Sequence, residues 1–300
     1  MVGAGAVGAL LTRFLEVTKA NEVTYYVRKG RKATLTRVKL LDARSGELHV
    51  RERPLAIEPH QVLPAADTVI LAVRADQLDE ALDVVARIPF EARIASASAG
   101  MDDLQRIRAR FPGRPVVQIM PMFKAYPDGD AIKWWNPPFA RTIITWEGDD
   151  AAKPFADELA KDLSAGGLAS KALRSVGRAR DAVLAAGMPL LAALELAGWD
   201  FGAWSNDAEL RGLASAGVRE GVGAVAPNLG RLFGLAPKVV LSTVLKAAPR
   251  MAGKDLLDMW RVHGPKIAGQ TRQLLDALIV RGDQRASATG TLKELRRRLG

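Results

Sequence analysis

The feature that most narrows the choice of fold stands at the start of the chain, where Gly3-Ala4-Gly5-Ala6-Val7-Gly8 places glycines at the spacing of a dinucleotide-binding turn. In such a turn the first glycine makes the tight strand-to-helix bend, the second lets the backbone approach a pyrophosphate, and the third lets the helix pack close to its strand. The amides that open the following helix, with the positive end of its dipole, then hold the phosphate charge. Gly3, Gly5, Ala6, Val7 and Gly8 are therefore candidate cofactor-binding residues. Only Met1 and Val2 precede Gly3, whereas a strand commonly supplies about five residues. The first strand is expected to be short and its hold on the turn weak.

Glycines at this spacing also occur in plain turns, and the context supplies the weight. Glu22 to Val27 (EVTYYV) reads as a strand and Asp67 to Val73 (DTVILAV) as another, the latter almost wholly apolar as in a strand buried on both faces. Arg93 to Ser98, Val116 to Met120 and Arg141 to Trp146 are further strands. Ala6 to Ala20 and Asp76 to Ile88 carry helical spacing, with Asp76 as the expected cap of the second. This alternation is the sequence form of a doubly wound parallel sheet covered by helices, an α/β Rossmann-type domain. After Glu147-Gly148-Asp149-Asp150 long Ala/Leu-rich segments take over, broken by Pro227, Pro237 and Pro249. Phe155 to Leu163 and Leu168 to Leu173 read as a helix and edge strand that complete the first domain. The expected division is a dinucleotide-binding domain over 1–173 and an all-helical domain over 174–300, for substrate binding or dimerisation. Whether those helices bury against their own chain or a second copy stays open.

The strand ending at Val27 runs into Arg28 and Lys29, where a site for NAD would usually offer an acidic residue to the ribose. A guanidinium suits a 2′-phosphate better than a diol, so NADP(H) is the expected cofactor.

At 300 residues, with 48% apolar and 25% charged side chains, the composition is that of an ordinary globular protein. The chain has no cysteine, which excludes disulfides, thiolate nucleophiles and cysteine-ligated metals. His49, His60 and His263 lack any ligand spacing, so no metal is expected. No GxSxG elbow appears, against an α/β-hydrolase. The net charge of +10 is concentrated in Arg28, Lys29, Arg31 and Lys32 and in Lys293, Arg296, Arg297 and Arg298, with no nucleic-acid motif beside it, so neither nucleic acid nor a membrane is an expected partner. Ala182 to Leu194 is free of charge for 13 residues, short of the roughly 18 to 20 of a membrane span. With no room before the turn for a leader, a cytoplasmic location is expected.

With these residues in view, the chain resembles the ketopantoate reductase family, whose members join an N-terminal Rossmann domain to a helical domain and reduce a ketone with NADPH. The likeness rests on Gly3 to Gly8, Arg28, Val69 to Gln77 (VILAVRADQ), Ala99-Gly100-Met101 and the stretch Lys266 to Gly282. It implies cofactor contacts at Val73, Arg74 and Ala99. The catalytic signature is altered: the family's lysine falls on Arg180, with Leu184 and Met188 where polar residues are expected, its asparagine on Ala99, its glutamate on Lys266, and the lysine of the cofactor-side strand end on Arg74. Those departures imply that ketopantoate itself is not the substrate. Arginine stays charged and is a poor proton donor.

A replacement set is present. His263, Lys266 and Gln270 lie at i, i+3 and i+7, so on a helix they share one face and either converge on a substrate or face solvent. The catalytic candidates are Lys266 as proton donor or carbonyl polariser, His263 assisting, and Arg180 as a fork for an anionic group. Gln270 and Thr271 are candidates to hold a substrate carboxylate or hydroxyl. The expected reaction is hydride transfer between NADP(H) and a 2-oxo or 2-hydroxy acid or related carbonyl compound. The alternatives are a catalytically silent dinucleotide-binding sensor or scaffold, and an opine-type dehydrogenase. Trp134 and Trp135, with Asn136-Pro137-Pro138, read as an aromatic loop that closes over a ligand or packs between domains. Met120, Met122 and Phe123 read as pocket lining or core.

Overall fold

The computed structural model describes residues 1–88, 91–137, 139–228, 261–262 and 264–300. Pro237, Pro249, Pro138 and His263 lie outside the described residues. The chain divides into two compact units, Met1–Val176 and Gly177–Gly300.

The first unit is built on a twisted sheet whose strands are apolar on both faces. β5 (Thr68–Leu71), β6 (Arg93–Ser96) and β7 (Val116–Met120) run parallel. Side chains alternate across them: Ile70, Ala95 and Val117 enter one core, while Val69, Leu71, Ile94 and Val116 enter the other. The first core is closed by α1 (Ala6–Glu16) and α5 (Lys153–Ala165) through Leu10, Leu11, Phe14, Phe155, Leu159 and Leu163; the second by α3 (Leu78–Val85) and α4 (Asp103–Arg110) through Leu78, Leu82, Val85, Leu104 and Ile107. Each such buried side chain contributes about 1.5–3 kcal/mol, which makes the two helical layers the chief support of the sheet. β10 (Thr142–Thr145) joins β7 antiparallel and β11 (Ser170–Leu173) joins β10 parallel, so the parallel sheet carries an antiparallel pairing at this edge. On the other side, β1 (Tyr25–Tyr26) pairs in parallel with β4 (Ala56–Ile57).

Between β1 and β5 lies Val2. Its bridges to Tyr26 and Leu71 are single residues, yet both sides are bonded: Val2 N donates to Ile70 O at 2.8 Å, Ala72 N to Val2 O at 2.8 Å, and Tyr26 N to Met1 O at 2.8 Å. Val2 thus sits between β1 and β5 with hydrogen-bonded backbone on both flanks.

A second sheet, in the order β3-β2-β9-β8, was not anticipated: β2 (Arg37–Asp42), β3 (Leu48–Glu52), β8 (Lys124–Asp128) and β9 (Ala131–Trp135). Trp134 and Trp135 belong to β9 and not to a loop, and Trp134 meets Phe14 of α1 edge to face at 5.4 Å, within the first unit. Phe123 is buried in the core beside them, while Met122 is exposed. Asp76 also departs from expectation. A 3₁₀ turn, Ala75–Gln77, precedes α3, and the Asp76 carboxylate is taken up by Arg74 instead of capping the helix.

The second unit is helical throughout its described residues: α6 (Gly177–Leu196), α7 (Phe201–Asn206), α8 (Ala208–Val225), the stretch 264–284 and a terminal helix Gly290–Arg298. The apolar stretch Ala182 to Leu194 sits inside α6, which packs along α8. Among the described residues no helix is long and apolar enough to cross a membrane.

Candidate functional site

The three glycines of the turn meet three different constraints. Gly3 has φ +100°, and a Cβ there would lie 2.5 Å from the Ala72 carbonyl oxygen at the end of β5, so a side chain is excluded by backbone and by space. A Cβ on Gly8 would fall inside the contact radius of the Gly3 carbonyl oxygen, which is what allows α1 to pack on the turn. Gly5 has ordinary extended backbone, φ −81°, and a Cβ there would project into open space with nothing within 4 Å.

Gly5 is the N-cap of α1 and brings no side-chain cap, and the first turn holds no acidic residue. The amides of Ala6, Val7 and Gly8 have no acceptor inside the helix by its geometry. The positive end of α1 thus faces the open side of Gly5. That fits a diphosphate, which needs close backbone approach and donors without a competing carboxylate.

The other cofactor-side candidates share this edge because they follow parallel strands. Arg28 and Lys29 follow β1, Val73 and Arg74 follow β5, and Ala99 follows β6. Val73 lies against Gly3. With the Gln77 amide turned so that its oxygen faces the cations, it accepts from Arg28 Nη2 at 2.6 Å and from Arg74 Nη2 at 3.3 Å. Gln77 thereby gathers two guanidiniums next to the phosphate turn, a role its sequence position did not announce. The two are not equivalent. Arg74 is engaged by both oxygens of Asp76 at 2.9 Å, which holds the Asp76 carboxyl below its ordinary range. Arg28 has a long surface pair with Glu80 at 3.4 Å, both side chains two-thirds exposed, an interaction worth little in water. Lys29 is exposed. An incoming phosphate would therefore compete with a neutral amide and a distant carboxylate at Arg28, and with a two-pronged carboxylate at Arg74.

The candidates of the second unit fall in dissimilar surroundings. Lys266 is exposed and Gln270 half-buried, one turn apart on the helix over 264–284. Thr271 is fully buried, and its hydroxyl donates to Ile267 O at 3.2 Å, so it serves its own helix. Arg180 is buried rather than a surface charge: Nε and Nη2 reach Asp181 Oδ1 at 3.1 and 2.9 Å, while Arg281 Nη1 reaches Asp181 Oδ2 at 3.0 Å. That arrangement ties α6 to the helix over 264–284.

Comparison with solved structures places the fold. D-mandelate dehydrogenase in a ternary structure with NADH and anilino(oxo)acetate superposes with a TM-score of 0.75 at 14% identity, covering 100% of this chain and 97% of that one. A 2-dehydropantoate 2-reductase from Geobacter metallireducens GS-15 gives 0.71 at 12% identity, with 99% and 97% covered. The dimeric ketopantoate reductase from Staphylococcus aureus gives 0.68 at 16% identity, with 99% and 96% covered. These likenesses establish a Rossmann-type α/β fold followed by a helical region. No curated protein matches the chain. A family model does, over the portion that holds the glycine turn, Arg28, Arg74 and Ala99. The family model described as ketopantoate reductase PanE/ApbA matches residues 1–143 of this chain.

Proposed function

We propose that the first unit binds NADP(H) and that the protein transfers a hydride between this cofactor and a 2-oxo or 2-hydroxy acid, or a related carbonyl compound, other than ketopantoate. The observation that carries the reading is the phosphate turn: tight at Gly3 and Gly8, open at Gly5, with uncapped amides behind it. The family match and the NADH-bound mandelate dehydrogenase point the same way. A nicotinamide dinucleotide, when bound, supplies or takes up the hydride.

In this reading Gly3 to Gly8 hold the diphosphate, Arg28 and Lys29 a 2′-phosphate, with Arg74 beside them, and Val73 and Ala99 line the remainder. Lys266 donates a proton to the carbonyl oxygen in reduction and receives it in oxidation, with His263 assisting and Gln270 holding a carboxylate or hydroxyl of the substrate. A homodimer belongs to the same reading, since the Staphylococcus aureus relative in fold is dimeric.

Thermal-shift titration with NADPH and NADH tests the foundation. Saturation at about 100 times Kd stabilises the native state by about 2.7 kcal/mol, so NADPH is expected to raise the melting temperature more than NADH at equal concentration. Arg28→Ala is expected to cost NADPH about tenfold to a hundredfold in affinity and to leave NADH unchanged, because a charge-assisted bond contributes about 1.5–3 kcal/mol. No shift with either nucleotide removes the reading. Lys266→Met is expected to lower kcat at least about a hundredfold, the usual scale of a lost general acid, with NADPH affinity intact; unchanged turnover on a substrate found by screening removes Lys266 from its role.

A second reading, a silent dinucleotide-binding sensor, is favoured by Arg180, which stands where the resemblance puts a catalytic lysine and is bound to Asp181. NADPH binding without oxidation across a broad oxo-acid panel would decide for it.

A further inference from the structure

The turn that leaves β6 contains a buried polar network that the proposed chemistry does not use. Ser96, Ser98, Asp103 and Gln118 are each at most 2% exposed. Asp103 opens α4, and its Oδ2 accepts from the Ser98 hydroxyl and from Gly100 N, the latter at 2.7 Å. Ser98 N donates to Ser96 Oγ at 3.2 Å, and Gln118 Nε2, reaching across from β7, donates to Ser98 O at 3.2 Å. A Cβ on Gly100 would collide with the Asp103 carboxylate, so the glycine is a condition of this bond.

A carboxylate leaves water only where several donors meet it, and a helix start does not need that: an exposed Asp caps as well without the desolvation cost. The network fixes one thing in particular. Along this segment Ser96, Ser98 and Gly100 turn inward, while Ala97 and Ala99 stay half-exposed. Bonds on both sides of Ala99, at Ser98 and at Gly100, leave its backbone one arrangement.

Sheet order then says which part of a dinucleotide Ala99 would meet. Arg28 follows β1, the phosphate turn follows Val2 in the next place, and β6 lies two places beyond Val2 on the far side. Neighbouring strands are about 4.8 Å apart, so a ligand with its 2′-phosphate at Arg28 and its diphosphate at the turn extends its other half across β5 toward β6.

We propose that Asp103 is a positioning residue for the nicotinamide half of the cofactor: it locks the turn at 98–100 and thereby the place of Ala99, while Arg28 and the glycine turn hold the other half independently. This rests on the NADP(H) reading above and deepens it.

The test compares NADPH with 2′-phospho-ADP-ribose, which lacks the nicotinamide, in titrations of the full chain. In Asp103→Ala, NADPH affinity is expected to fall at least about tenfold, with loss of the fluorescence change of the bound dihydronicotinamide, while 2′-phospho-ADP-ribose stays within about twofold. Asp103→Asn is expected to behave like the parent, since one amide oxygen in the place of Oδ2 can accept both bonds. Ser98→Ala removes a single donor and is expected to weaken NADPH alone by about threefold, which keeps the proposal open to refutation if Asp103→Ala does not fold. The proposal is overturned if both ligands weaken in step, if neither does, or if Asp103→Asn is as impaired as Asp103→Ala. Equal affinity of the parent for the two ligands would overturn it and leave the dinucleotide reading standing; binding of neither would overturn both.

Discussion

Gly5 and Gly8 are three positions apart and answer to different demands. At Gly8 space is denied by the protein's own backbone; at Gly5 nothing in the fold forbids a methyl group. Gly5→Ala is therefore expected to leave stability within about 1 kcal/mol, the scale of a changed helix cap, and to weaken NADPH at least about tenfold, because the methyl stands where the diphosphate must approach. Gly8→Ala is expected to cost about 1–3 kcal/mol through overpacking, whatever its effect on ligand. Urea melts and nucleotide titrations of the two variants separate these outcomes, and full binding by Gly5→Ala would show that the turn is not the diphosphate seat. The glycines and Arg28 could be nominated from sequence because their spacing, set among strand and helix patterns, carries the argument. The sequence did not show Gln77 or Asp103, whose importance comes from side chains meeting across strand ends; Gly100 followed by Asp102 and Asp103 was the available hint.

Among elements, the legible ones are those buried on two faces. The segment 67–73 is apolar after Asp67 and Thr68, 116–120 is apolar but for Gln118, and in 93–98 small residues follow Ile94; helices cover both sides of these strands, so their assignment followed from composition. The second sheet was missed because its strands are covered on one side. Lys39 of β2 and Lys133 of β9 interrupt the apolar pattern, and β2 pairs with β9 from about ninety residues away, a distance no local pattern reports. The β2–β3 hairpin did carry a signal in Ser45-Gly46, where Gly46 has φ +74° and the Asp42 carboxylate accepts from Arg44 N at 2.8 Å. In the second unit, α6 is held to the helix over 264–284 by Asp181 with Arg180 and Arg281, and again by Arg272 and Glu195 at 2.8 Å. The Asp181 side chain is 20% exposed, so removing its charge takes a largely buried carboxylate partner from two guanidiniums. Asp181→Asn is expected to destabilise by about 2–4 kcal/mol, read as a lower urea midpoint at unchanged slope. A change under about 0.5 kcal/mol would mean that water already satisfies these groups.

At the scale of the whole chain, the shift from β-branched alternation to Ala/Leu-rich segments after residue 150 marks the change of architecture. The segment leading out of the first unit is fastened to it by Glu147, which accepts from Ser175 Oγ at 2.5 Å and Val176 N at 3.1 Å. The candidate phosphate turn could be nominated from sequence because it is one contiguous motif. The substrate-side residues were less legible, since helical spacing puts Lys266 and Gln270 on one face but cannot tell that Thr271 and Arg180 turn inward. Val2 carries a last consequence. Around it, Met1 to Gly3 hydrogen-bond β1 on one side while Val2 bonds the β5 segment of the five-stranded slab on the other, and the phosphate turn begins within this segment. A ligand lodged on that turn and reaching Arg28 would span this junction, so occupancy would act as a clasp between the two parts of the sheet.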